Sequence, residues 1–205
     1  MKKSILFNTE MVRAILDGRK TVTRRVIKPK YRKNEYGWSV CRRTIDNSIA
    51  YLTYTDEDGA SVRTLEPPYQ VGDVLYVRET WRKEDNGFAY YATDWHKFGD
   101  EYVNQFKWKP SIHMPKEAAR IWLKVTDVRV ERLQDITPKQ AGQEGVQWET
   151  DNSGLYRKFQ FHKLWDSTIK KQDLDKYGWN ANPWVWVIEF ERSTKEIKDD
   201  SQDKS

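Results

Sequence analysis

The run Gly18-Arg19-Lys20-Thr21-Val22-Thr23-Arg24-Arg25 sets an amine, two hydroxyls and three guanidinium groups side by side. Upstream of it, Asn8 to Asp17 reads as a helix. Asn8 is placed to cap its start and Gly18 to end it in a left-handed turn. Met11, Val12, Ile15 and Leu16 give that helix one apolar stripe. Downstream, Val22, Val26 and Ile27 with the interleaved threonines read as a strand. Lys20 therefore falls where a helix stops and a strand starts. Thr21, Thr23 and Arg25 share one strand face, and Val22, Arg24 and Val26 the other. Ile5-Leu6-Phe7, ahead of the helix, is a short first strand.

A lysine becomes a base only when its pKa falls, and crowding by cations such as Arg19 and Arg25 pushes it down. So tuned, Lys20 could take a proton from a nearby threonine hydroxyl, while arginines hold a phosphate or a developing oxyanion. The same run also reads as a solvated basic strand. Residues three apart on a straight strand face opposite ways, so Lys20 and Thr23 meet only if Lys20 lies in the turn.

Beyond Pro29 the character changes. Trp38–Cys41, Ala50–Tyr54 and Ser61–Thr64 read as short strands, with Asp56-Glu57-Asp58-Gly59 as a turn. Lys30 to Pro68 is thus a β-rich insertion. Gly72-Asp73 leads into a strand over Val74–Trp81, covered on both faces. Arg78, Glu79 and Trp81 stand at its end, where Glu79 reads as an arginine partner or as a second acid of the site. Phe88–Ala92 reads as a further strand after the Asn86-Gly87 turn. Asp94 to Pro115 is irregular and aromatic, with Trp95, Phe98, Tyr102, Phe106 and Trp108 among Lys97, Lys107 and Lys109. Aromatics among cations can stack bases and neutralise phosphates, or fill a small core of their own.

Ala119 to Arg132 alternates as a long central strand with a bend near Asp127. Thr137 caps a helix with Pro138 in its first turn, running to Glu144 and stopping at Gly145. Glu144 then sits at the unfavourable end of the helix dipole and wants a cation, for which Lys20 and Arg25 are candidates. A solvated glutamate is the plainer reading. Leu155 to Ile169 is an amphipathic helix, with Leu155, Phe159, Phe161, Leu164 and Trp165 at helical spacing. Tyr177–Asn180 is a loop whose Trp179 could cap a pocket. Trp184–Phe190 is a final strand that closes a barrel. From Ser193 the chain is polar, charged and expected to be disordered.

A length of 205 residues favours one domain, here 1–192 with its insertion, followed by the tail 193–205. Only 38% of residues are hydrophobic, but 10 Trp, 11 Tyr and 7 Phe supply enough burial for a core. The net charge of +5 suits a polyanionic partner without requiring one. Cys41 is the single cysteine, so an internal disulfide is excluded and a reducing compartment is expected. The three histidines share no metal-ligand spacing, so neither a metal nor a cofactor is expected. No apolar run approaches the roughly 20 residues that cross a bilayer, and the apolar core of a signal peptide is missing. A cytoplasmic protein without a membrane partner is expected.

Gly18-x-Lys20-x-x-Thr23-x-Arg25 resembles the Gly-x-Lys-x-x-x-x-Arg signature of the ASCH domain family, whose fold is PUA-like. Ile5-Leu6-Phe7 and Gly72-Asp73-Val74-Leu75 agree with it, over most of 5–27 and 71–192. The threonine resembles the small members that act as N(4)-acetylcytidine amidohydrolases, and Lys139-Gln140-Ala141-x-x-Glu144 resembles the helix carrying their acid. The resemblance implies an α+β fold: a mixed β-barrel with flanking helices, and here the β-rich insertion. It implies Lys20 as base, Thr23 as nucleophile or water-orienting partner, and Glu144 as proton shuttle, with Arg25 on the oxyanion or ribose. Arg19, Thr21, Arg24, Arg78, Glu79, Trp81 and Trp108 are the further candidates for contact with substrate or nucleic acid. The longer form resembles ASCH proteins encoded by phages and prophages. Two function classes stay open: hydrolysis of an acylated cytidine or related base amide, and binding of RNA or a modified nucleotide without turnover. Cleavage of RNA is a third.

Overall fold

The computed structural model describes residues 2–28, 38–42, 50–55, 61–146 and 154–193, with side chains for 3–28, 65–146 and 155–193. The tail from residue 194 and the Asp56–Gly59 turn lie outside the described residues. Strand β1 (Lys2–Leu6) leads into α1 (Thr9–Leu16), and Gly18, at φ 75°, turns the chain into β2 (Val22–Val26). The Asn8 cap forms as expected, its Oδ1 accepting from Met11 N at 2.9 Å. The β-rich insertion follows as β3 (Trp38–Arg42), β4 (Ala50–Thr55) and β5 (Ser61–Leu65), an antiparallel three-stranded sheet in that order.

Next come β6 (Val74–Arg78), β7 (Trp81–Glu84), β8 (Gly87–Tyr90) and α2 (Tyr91–Val103). The chain finishes with β9 (Trp122–Arg132), α3 (Pro138–Gln143), α4 (Gly154–Thr168), α5 (Leu174–Tyr177) and β10 (Trp184–Ser193). The fold is α+β, and its main sheet is mixed, in the order β1-β6-β9-β10-β2. β1 and β6 are parallel, while β6–β9 and β10–β2 are antiparallel. No pairing among the described residues joins β1 to β2, so this sheet is open where a closed barrel was expected.

The chain divides into two compact units. The first is residues 1–13, 73–124 and 191–205. Here the strand expected over Val74–Trp81 splits in two. Inward burial continues at Leu75, Val77, Glu79 and Trp81, but Glu79 leaves the ladder. Its backbone N–H goes to Met114 Sδ at 3.2 Å, and its carboxylate takes both Nε and Nη2 of Arg120 at 2.9 Å. β6 is also covered on one face only, since Val74, Tyr76 and Arg78 are half-buried. β8 stops at Tyr90, and of the Asp94–Pro115 stretch read as irregular the part up to Val103 belongs to α2, while the rest is turns and a short 3-10 turn at Ser111–His113. Gly99, at φ 76°, interrupts that helix.

The second unit is residues 14–72 and 125–190. Val22, Leu133, Ile136, Ala141, Val146, Phe161, Trp165, Val185 and Val187 form its core. Buried positions on β9 switch parity between Val125 and Val128, which places the bend at Thr126-Asp127. Helix α3 is fixed by a full capping box between Thr137 and Gln140. α4 presents Phe161 and Trp165 to the core, but Leu155 and Phe159 are exposed, against the expected stripe. The Tyr177–Asn180 loop is instead the end of α5 and a 3-10 turn. Trp179 lies edge-on to Phe161 and stacks on His162 at 5.2 Å.

Candidate active site

The centre of the second unit's polar interior is Lys20. Beyond α1, the backbone N–H groups of Arg19 and Lys20 both donate to Ala14 O at 2.9 Å. This doubles the chain back beneath the helix it has just left. Thr21 N then donates to Gln143 O at 2.9 Å, and Lys20 forms an isolated antiparallel bridge with Glu144, the C-cap of α3. Gly145 makes the approach possible. It has φ 90°, and a Cβ there would stand 2.7 Å from Ala14 Cβ and 3.0 Å from Lys20 Cβ. Arg19 closes the turn by donating to Gly145 O at 2.9 Å and Asp17 Oδ2 at 2.8 Å.

Lys20 is 3% exposed and Glu144 4%. The Lys20 ammonium donates to Val22 O at 2.8 Å, Glu144 O at 2.8 Å and Glu144 Oε2 at 2.7 Å. Three protons thus meet three acceptors, two of them at the carboxyl end of α3, where a cation is favoured. Glu144 Oε1 accepts from Arg24 Nη1 at 3.1 Å. The carboxylate at the wrong end of a helix dipole is therefore held by two cations. Lys20 is one of them, and the other is Arg24 rather than Arg25.

The register explains where the amine lies. Phe190 N donates to Thr21 O and Ile27 N to Trp184 O. Odd-numbered residues of β2 thus turn their peptide groups toward β10, and Val22 O points to the outer edge. Lys20 reaches that edge and belongs to neither face of the strand. Thr23, 4% exposed, follows Val22 on the face opposite Arg24. Arg25 shares Thr23's face and is half-buried.

Burial pushes the Lys20 pKa down; Glu144 opposes this, and the positive charges of Arg25 and Arg24 add to it. Crowding from Arg25 was expected, whereas burial is the larger cause and Arg19 is not among the causes. Arg25 is also lowered by burial, with Tyr69 and Glu144 pulling the other way.

Arg24 has a fully buried side chain, so it faces inward and not toward an external phosphate. Its Nη2 donates to Glu131 Oε2 at 3.1 Å. Glu131 Oε1 in turn accepts from Arg129 Nε at 2.5 Å, and Arg129 also binds Asp127 and Glu189. Burial alone would lower the pKa of Arg129, but bonds to the three carboxylates hold it above the ordinary arginine value. Glu131 and Arg129 escaped the reading of the sequence. Their signal is the alternation Val128-Arg129-Val130-Glu131, which puts opposite charges on one strand face behind two buried valines.

The remaining candidates belong to the first unit. Glu79 is 1% exposed and paired with the part-buried Arg120, the arginine partner read as one of its two alternatives. Trp81 packs with Met114 and Ala118, and Lys109 Nζ lies 5.1 Å from its ring. Trp108 donates to Val103 O at 2.7 Å and meets Tyr91 edge-on. Both tryptophans thus serve the packing of their own unit. Arg78 donates to Ile112 O. Among the described residues, no three His, Cys, Asp or Glu side chains group as metal ligands, and no helix is long and apolar enough to cross a membrane. The chain matches no protein-family model, no curated protein and no solved structure.

Proposed function

We propose that this chain is a PUA-like, ASCH-type hydrolase that cleaves an amide on an acylated cytidine or related base, with Lys20, Thr23 and Glu144 as its catalytic residues. The observation that carries this reading is the buried contact of Lys20 Nζ with Glu144 Oε2 at 2.7 Å, made by residues 124 positions apart. A buried ion pair can relax to a neutral pair by one proton transfer, because burial penalises both charges. Glu144 Oε2 takes the proton and Lys20 becomes an amine. That amine then takes the proton of the attacking group: the Thr23 hydroxyl's as Thr23 Oγ adds to the amide carbonyl, or that of a water which Thr23 orients and which adds instead. The carbonyl electrons move onto oxygen, where Arg25 is the nearby cation. Collapse breaks the carbon–nitrogen bond, and the departing nitrogen takes the proton from Glu144. Where Thr23 was the nucleophile, water then hydrolyses the acyl-threonine.

A second reading is favoured by one observation: all three Lys20 protons already have acceptors. A saturated ammonium is a structural strut, and the protein would then bind RNA or a modified nucleotide without turning it over. Turnover of N(4)-acetylcytidine by the wild type, Lys20→Ala, Thr23→Ala and Glu144→Ala separates the two. Activity lost in each folded variant supports hydrolysis. An inactive wild type whose RNA binding falls on Arg25→Ala and weakens steeply with salt supports the binding module.

A further inference from the structure

The interior of the second unit contains more charge than three catalytic residues require. Arg24 spends one Nη on Glu144 Oε1 and the other on Glu131 Oε2, both at 3.1 Å. Its Nε is buried without an acceptor, and its Cζ lies 6.0 Å from the Phe161 ring centroid. Leaving a buried donor unmatched costs free energy that an apolar side chain in the same space avoids. What the guanidinium gains is a rigid bridge between two carboxylates from different elements.

We propose that the Arg24–Glu131 pair is the positioning device of the site: Arg24 holds Glu144 Oε1 so that Oε2 faces the Lys20 amine, and Glu131 sets how much of the Arg24 charge that pair feels. Arg24 is on this view a positioning residue that touches no substrate. The catalytic consequence rests on the hydrolytic reading above, whereas the electrostatic part stands without it.

Among the described residues, the charged groups around Lys20 come from three elements. Glu144 faces it from the end of α3, Arg24 and Arg25 from β2, and Arg19 from the turn. Behind them stand Glu131, with Arg129, Asp127 and Glu189 around it, and Tyr69 beside Arg25. Within this set the two members of the device have opposite signs. Neutralising Arg24 removes a cation from Lys20's surroundings, so the ammonium becomes easier to keep. Neutralising Glu131 removes the anion that offsets Arg24, so the ammonium becomes harder to keep.

The test is the pH titration of the Lys20 13Cε resonance in the full-length protein, assigned by its loss in Lys20→Arg. In Glu131→Gln the midpoint falls, and in Arg24→Met it rises, each by about one pH unit. A residue that only packs would move both variants the same way or neither, and either of those results overturns the proposal. Should Arg24→Met fail to fold, the fall in Glu131→Gln decides alone. With N(4)-acetylcytidine as substrate, the acidic limb of the pH–rate profile moves in the same directions. Absence of turnover in the wild type sinks the hydrolytic reading and leaves the resonance titration to judge the device.

Discussion

Gly145 and Ala14 approach so closely that a methyl group on the glycine would meet Ala14 Cβ at 2.7 Å. The same methyl would press on Lys20 Cβ at 3.0 Å, from a residue already at φ 90°. Overpacking costs about 1–3 kcal/mol, and left-handed backbone at a non-glycine residue adds roughly 1–2 kcal/mol. Gly145→Ala is therefore expected to lose about 2–5 kcal/mol in urea denaturation. A loss below about 0.5 kcal/mol, the range of neutral surface changes, would show that the end of α3 is free to move off Lys20.

The Lys20–Glu144 pair is expected to be strongly coupled. Removing one partner of a buried pair costs about 3–5 kcal/mol, because the other charge is stranded. Lys20→Met and Glu144→Leu should each destabilise on that scale, and the double variant by clearly less than their sum. Additive losses would mean that the 2.7 Å contact contributes no coupling.

Stability should also vary with pH through Lys20. Its folded pKa is lowered by burial, with Arg25 and Arg24 adding to this against Glu144, so the unfolded chain binds more protons in the window below the ordinary lysine value of about 10.4. The charged form is penalised in the fold at low pH, and the penalty lifts as pH rises through the folded pKa. Wild type should therefore gain stability relative to Lys20→Met between neutral pH and about 10. A difference that stays flat or shrinks over that window would reverse the sign argued here.

Phe161 and Leu155 lie on one helix with opposite environments, at 2% and 84% exposure. Phe161→Ala should cost about 3–5 kcal/mol, and Leu155→Ser should stay within about 0.5 kcal/mol. Equal losses in thermal or urea unfolding would contradict the orientation of α4.

Signals carried by neighbouring residues are legible in the sequence alone. Asn8 and Gly18 bracket α1, and Thr137 and Pro138 start α3, because caps and turns act within four residues. Glu144 could be singled out because a carboxylate at a helix carboxyl end is a local mismatch. Its second partner was not legible. Arg24 and Arg25 lie on opposite faces of β2, and only the pairing with β10 and α3 decides which one meets Glu144. Glu79 shows the same limit, since its side-chain partner Arg120 and its backbone partner Met114 lie 41 and 35 residues away. α2 was hidden for another reason. Gly99 and a crowd of strand-favouring aromatics mask a helix that packing stabilises.

The most direct measurement is free acetate released from N(4)-acetylcytidine by wild type and by Lys20→Met, with the fold of both verified by circular dichroism. A catalytic Lys20 predicts acetate from the wild type and none above the protein-free blank from the variant. Acetate at the wild-type rate from Lys20→Met, or none from either protein, would contradict it.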